Sequence, residues 1–157
     1  MDVQNNGKQI IAPTFQKNAE LSNDIRKFFA LKGEHKRKWT AENADNHIGI
    51  CLKIDGALIT TQQNKCDGGL LLDDNRLYLV EFKGKAYKDA VNQLIETVEF
   101  FKTNSNYSGY DFIFHARIVG KSFPRASTEL QKAKVDLRNY FGEKKYQLYE
   151  QEGNETI

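Results

Sequence analysis

The sequence predicts an α/β chain of α+β-like type, in which a central mixed β-sheet is flanked by helices. Three observations carry this. Residues 76–83, RLYLVEFK, form a nearly continuous apolar run between the turn residues Asp73-Asp74-Asn75 and Gly84, as a strand in the middle of a sheet does. Before it, short alternating runs are joined by turn residues, the pattern of hairpins. After it, a helical pattern leads to another apolar run, the order of a strand–helix–strand crossover.

The elements follow in order. Residues 1–17 have no clear periodicity and read as an N-terminal arm of a single domain spanning 1–157. From Ala19 to Leu31, the residues Leu21, Ile25, Phe28 and Phe29 recur at helical spacing, and Gly33 supplies a stop. The polar, basic run from Lys32 to Lys38 reads as a loop or frayed end. Over 47–54, Ile48, Ile50, Leu52 and Ile54 alternate as in a half-buried strand. Asp55-Gly56 marks a hairpin turn, and Ala57 to Thr61 is expected to return as a strand. Residues 66–72 give a short strand, turned back at 73–75 onto the strand 76–83.

A helix is expected over 88–102, where Val91, Leu94, Ile95, Val98 and Phe101 line one face. Tyr110 to Val119 reads as a strand, and Pro124 sits in a loop. Ser127 or Thr128 caps a helix bearing Leu130, Ala133, Leu137, Tyr140 and Phe141, which Gly142 ends. Tyr146 to Tyr149 is a last short strand.

Composition narrows the class. No apolar run approaches the roughly 20 residues of a membrane span, and the first residues lack the apolar stretch of a signal peptide, so a cytoplasmic protein is expected. Cys51 and Cys66 have no metal-ligand spacing and read as partly buried thiols. Net charge is +2 but unevenly spread: residues 17–38 and 121–145 each hold seven Lys/Arg against three acids, whereas 39–120 hold eight against eleven. An acidic centre between basic flanks suits a metal site beside phosphate-contacting surfaces, and equally suits two solvated faces.

The chemistry is concentrated in Glu81-Phe82-Lys83. On a strand Glu81 and Lys83 point the same way and Phe82 the other. Buried charge is costly unless paired or bound to a metal. The turn at 73–75 brings the preceding strand alongside, so Asp67 can lie near Glu81. Two carboxylates and a backbone carbonyl, that of Phe82, are hard oxygen ligands of the kind Mg²⁺ takes, and Lys83 can hold and polarise an attacking water. Two further Glu-x-Lys triplets, at 34–36 and 143–145, lack this context: the first falls in a charged loop and the second just beyond a helix.

Asp67…Glu81-Phe82-Lys83 followed by a helix resembles the PD-(D/E)XK (restriction-endonuclease-like) nuclease superfamily over roughly residues 19–119. The resemblance implies a helix–three strands–helix–strand core and hydrolysis of phosphodiester bonds in DNA with Mg²⁺ or Mn²⁺. It implies Asp67 and Glu81 as metal ligands and Lys83 as the catalytic lysine. It also implies Glu20 as an acidic residue of the first helix and Gln93 as a supporting residue on the helix after the motif. Cys66 stands where that pattern usually has Pro. Lys36, Arg37, Lys38, Lys85, Lys121 and Arg125 are then candidate nucleic-acid contacts. Two alternatives stay open: a non-catalytic nucleic-acid- or protein-binding module of the same fold, and an RNA-cleaving member. Cutting both strands calls for two sites, which admits a homodimer or a protein partner.

Overall fold

Along one strand Leu77 and Leu79 face two helices while Tyr78 and Val80 face a second, smaller sheet, and this alternation organises the protein into three layers. The computed structural model describes residues 12–83 and 86–157. Among them the strands are β1 (Glu20–Asp24), β2 (Phe28–Lys32), β3 (Lys38–Glu42), β4 (Gly49–Lys53), β5 (Gly68–Leu72), β6 (Arg76–Lys83), β7 (Ile113–Gly120), β8 (Tyr146–Glu150) and β9 (Glu152–Thr156). The helices are α1 (Tyr87–Thr103) and α2 (Thr128–Phe141). The fold is therefore α+β. A six-stranded sheet runs in the order β1-β4-β5-β6-β7-β8, and a three-stranded sheet in the order β2-β3-β9. The larger sheet is mixed: β1/β4, β4/β5 and β5/β6 pair antiparallel, β6/β7 and β7/β8 parallel.

The expected centre of the sheet is present. β6 has the predicted bounds and is buried on both faces over Leu77–Glu81. α1 lays Val91, Leu94, Val98 and Phe101 on the sheet. Ser127 caps α2, its hydroxyl accepting from the Leu130 N–H, and Gly142 closes the helix at φ +98°.

The expected first helix is not there. Residues 19–31 form β1 and β2, which lie in different sheets. Of the residues that suggested helical spacing, Leu21 is 58% and Phe28 50% exposed. The burial that decides the conformation has period two, Phe29 and Leu31 inward, and it is completed by Trp39 and Ala41 of β3. Gly33 is not a helix stop: it packs on the Phe82 ring, where an added Cβ would fall 2.3 Å from Cγ. The expected strand at 57–61 is also absent. The chain turns after β4, the Ile59 and Leu58 N–H groups donating back to the carbonyls of Ile54 and Lys53, and these apolar residues fill the helix-side core.

β9 was not expected at all. EGNET has no apolar period, yet it pairs parallel with β3. Glu155 holds it in place by accepting from Trp39 Nε1 at 2.8 Å, Tyr149 Oη at 2.7 Å and Arg117 at 2.7 and 2.8 Å. Cys51 and Cys66 are buried free thiols. No helix among the described residues is long and apolar enough to cross a membrane.

Candidate functional site

At one end of the larger sheet lie the end of β4, the start of β5 and the end of β6. There a cleft of about 950 Å³ opens between α1 and the β2–β3 hairpin. Asp67, Glu81, Phe82, Lys83 and Gln93 all line it. The register explains why the first two meet. Gly68 is paired with Val80 across the antiparallel β5/β6 ladder, so the residues one step further on each strand, Asp67 and Glu81, are opposite one another.

Asp67 is fixed from several sides. Its carbonyl accepts from the N–H groups of Ile54 and Asp55 at 3.0 and 3.3 Å. Its Oδ2 accepts from the Phe82 N–H at 2.8 Å. The segment before it is tied to α1: the Cys66 N–H donates to Thr97 Oγ1, and Asn64 donates twice to Glu96. Asp67 thus sits in a frame made by β4, β6 and α1 together.

Glu81 is 1% exposed, and its Oε2 has no hydrogen-bond partner among the described residues. Burial pushes its carboxyl up to about 10, and the neighbouring Asp67, within hydrogen-bonding reach and of like charge, adds to that; Lys83 acts in the opposite sense. Burial and Asp67 both favour the protonated form of Glu81. Gln93, on the first half of α1, donates from Nε2 to the Lys65 carbonyl at 3.3 Å, and its Oε1 is buried without a partner among the described residues. The donor set is entirely oxygen, which fits a hard divalent cation, and the unpartnered Glu81 Oε2 and Gln93 Oε1 are acceptors that such an ion or its waters would satisfy. Among the described residues there is no group of three or more His, Cys, Asp or Glu side chains placed to hold an ion.

The other expected site residues divide. Glu20 lies on strand β1, not on a helix, paired with Leu52; its neighbour Leu21 lines the cleft and Glu20 does not. Arg37 lines the cleft, but Lys36 and Lys38 do not, and Lys38 instead pairs with Glu152 at 3.2 Å. Lys121 and Arg125 follow β7 at the same end of the sheet but outside the cleft. Lys85 lies outside the described residues.

Sequence reasoning missed Asp55 as a cleft residue. It stands at the cleft wall and its charge also raises the Glu81 carboxyl. The signal was present, since an acid immediately after an alternating strand falls at the sheet end, but Asp55-Gly56 fits a turn equally well. Lys32 and Lys53, which line the cleft at the ends of β2 and β4, were likewise missed. Comparison with protein-family models, with curated proteins and with solved structures returned no match.

Proposed function

We propose that this chain is a nuclease of the PD-(D/E)XK type that hydrolyses phosphodiester bonds in DNA with Mg²⁺ or Mn²⁺. The observation that carries the reading is the meeting of Asp67 and Glu81 in one cleft with Lys83, where Glu81 Oε2 and Gln93 Oε1 are buried without partners among the described residues. The run β4-β5-β6-α1-β7 supports it as the matching part of such a core, with β1 and β2 in place of the first helix.

Asp67, Glu81 and the Phe82 carbonyl would hold the ion, which supplies Lewis acidity at phosphorus and a lowered pKa for water. Glu81 would hold the ion as its carboxylate, the form in which it is a ligand. Lys83, one strand period beyond Glu81 and on the same face, donates to the attacking water and offsets the negative charge that grows on the phosphoryl oxygens. Gln93 Oε1 orients water from the helix side. Asp67 also holds the Phe82 N–H, which fixes the direction of the strand end that carries Lys83.

The second reading is a binding module that keeps the fold without turnover. It is favoured by the absence, among the described residues, of a group of three His, Cys, Asp or Glu side chains placed to hold an ion, and by the preference of Glu81 for its protonated form. Incubation with duplex, single-stranded and branched DNA, and with RNA, in Mg²⁺ and in Mn²⁺ separates them. Cleavage that stops on chelation and in Asp67→Ala supports the nuclease; cleavage of RNA alone moves the substrate to RNA. No cleavage of any of these by the parent overturns it in favour of the binding module.

A further inference from the structure

Two arginines are nearly fully buried, and the protein treats them in opposite ways. Arg117, 6% exposed, is satisfied on every side: it makes a two-point pair with Glu155 and donates to the carbonyls of Ala116 and Lys145. Arg37 is 8% exposed, yet among the described residues its side chain makes no hydrogen bond or ion pair, and its Nε is buried without a partner. A buried guanidinium N–H without an acceptor is costly, and a ligand in the cleft that supplies acceptors would satisfy it.

The surroundings say what kind. Arg37 closes the tip of the β2–β3 hairpin, where the Gly33 N–H donates to the Arg37 carbonyl at 2.8 Å and the Arg37 N–H to the Glu34 carbonyl at 3.2 Å. Gly33 sits on the Phe82 ring, so the tip is fastened to the residue between Glu81 and Lys83. Arg37 lines the same cleft as those residues, together with Lys32 and Lys53. The fork of a guanidinium matches two oxygens of a tetrahedral anion.

We propose that Arg37 is a phosphate-binding residue: the hairpin tip forms an anion site in the wall of the cleft and takes a phosphate group of a nucleic-acid strand. Its place in the cleft makes it a positioning contact that sets which phosphate reaches Asp67, Glu81 and Lys83. The choice of a nucleic-acid ligand rests on the function proposed above; the anion site itself rests on Arg37.

The test is binding without turnover. Fluorescence anisotropy in chelator, with a single-stranded oligonucleotide carrying or lacking a 5′-phosphate, reads affinity with no cleavage. Arg37→Gln should weaken binding about tenfold or more, the scale of lost charge-assisted hydrogen bonds, and lower the log–log salt slope by about 0.7. Lys102→Gln, in the last turn of α1 and outside the cleft, should bind like the parent. A loss on both oligonucleotides assigns an internal phosphodiester, and a loss confined to the phosphorylated one assigns a terminal phosphate. Parent-like binding by Arg37→Gln overturns the proposal, as does an equal loss in Lys102→Gln.

A measurement on the unaltered protein guards against a variant that fails to fold. The buried Nε–H of Arg37 should give a ¹⁵N cross-peak that moves when inorganic phosphate is added, and an unmoved peak also overturns the anion site. Failure of the parent to cleave would leave these results standing, and cleavage with an unaffected Arg37→Gln would leave the nuclease reading standing without this one.

Discussion

Replacing Glu81 by Gln keeps the shape of the side chain and removes its ability to ionise, so the variant isolates what the buried carboxyl does to stability. In the folded chain this group titrates at about 10; its ordinary value is 4.5. Between those values the unfolded chain has lost the proton and the folded chain still holds it. The folded state then binds more protons, so stability falls as pH rises across the window. The contribution is fully present below the ordinary value and is lost by the time pH passes the folded one. The slope is about 1.4 kcal/mol per pH unit for one group, or about 2.7 kcal/mol between about pH 6 and pH 8. For a chain of this size that corresponds to a melting shift of about 5–10 °C.

Thermal melts of parent and Glu81→Gln, in chelator and across that range, should therefore diverge, the parent losing stability relative to the variant as pH rises. Saturating Mg²⁺ should reverse the trend for the parent alone, because an ion bound to the carboxylate favours the ionised form. Parallel pH profiles for the two proteins would refute the reasoning, since they would mean that Glu81 ionises in the fold as it does in water.

On the proposed function, Lys83→Ala removes a charge but no metal ligand, so Mg²⁺ should still shift the melting temperature while cleavage falls at least about a hundredfold; Asp67→Ala should lose the cation shift and cleavage together, and a Lys83→Ala protein that cleaves as fast as the parent would remove Lys83 from the proposed mechanism. Burial works against the charge of Glu155, but the Arg117 pair and the bonds from Trp39 and Tyr149 outweigh it and hold its carboxyl below the usual range. Glu155→Gln leaves Arg117 buried and unpaired, which should cost about 3–5 kcal/mol in chemical denaturation; a loss below about 1 kcal/mol would contradict the role given to that pair. Burial, with Arg117 and Arg76 adding to it, pushes the His115 imidazole down from 6.5 to about 4. Its neutral form therefore contributes stability that is present above the ordinary value and lost as pH falls toward the folded one. His115→Gln should flatten the acid limb of the stability profile, and an unchanged limb would speak against it.

The parts of the fold that were legible are those whose pattern is local. β6 and α1 each carry their own apolar period, and α2 carries its own caps in Ser127 and Gly142, so neighbours in sequence suffice to define them. The small sheet is different. β3 is KWTAE and β9 is EGNET, and neither has a run to read. They become strands through pairing between residues as far apart as Lys38 and Glu152, and through one acid, Glu155, that gathers donors from β3, β7 and β8. Phe28 and Phe29 adjacent in sequence admit either period, and only the partner strand chooses between them. The same division holds at the site. Strand parity and a short turn bring Asp67 to Glu81 and put Lys83 on the face of Glu81, whereas Asp55 and Arg37 reach the cleft through a bend and a hairpin from elsewhere in the chain.

The atoms that lack partners connect the two halves of the cleft. Five buried side-chain polar atoms among the described residues have no hydrogen-bond partner, and three of them, Arg37 Nε, Glu81 Oε2 and Gln93 Oε1, belong to residues lining this one cleft. Each unsatisfied atom costs about 1–3 kcal/mol. Scattered, such atoms would be isolated defects; gathered here, they combine a donor with two acceptors. A cation alone can satisfy the acceptors and an anion alone the donor. A phosphate held on a cation satisfies both, and its negative oxygens screen the ion from Arg37 and Lys83. The two ligands should therefore bind cooperatively. With Ca²⁺ substituted to slow turnover and a short oligonucleotide as the anion, the rise in melting temperature with both present should exceed the sum of the separate rises. In Glu81→Gln the excess should disappear while the oligonucleotide's own shift remains. Strictly additive shifts in the parent would mean that the cation and phosphate sites do not meet, and the single-cleft mechanism would fail with them.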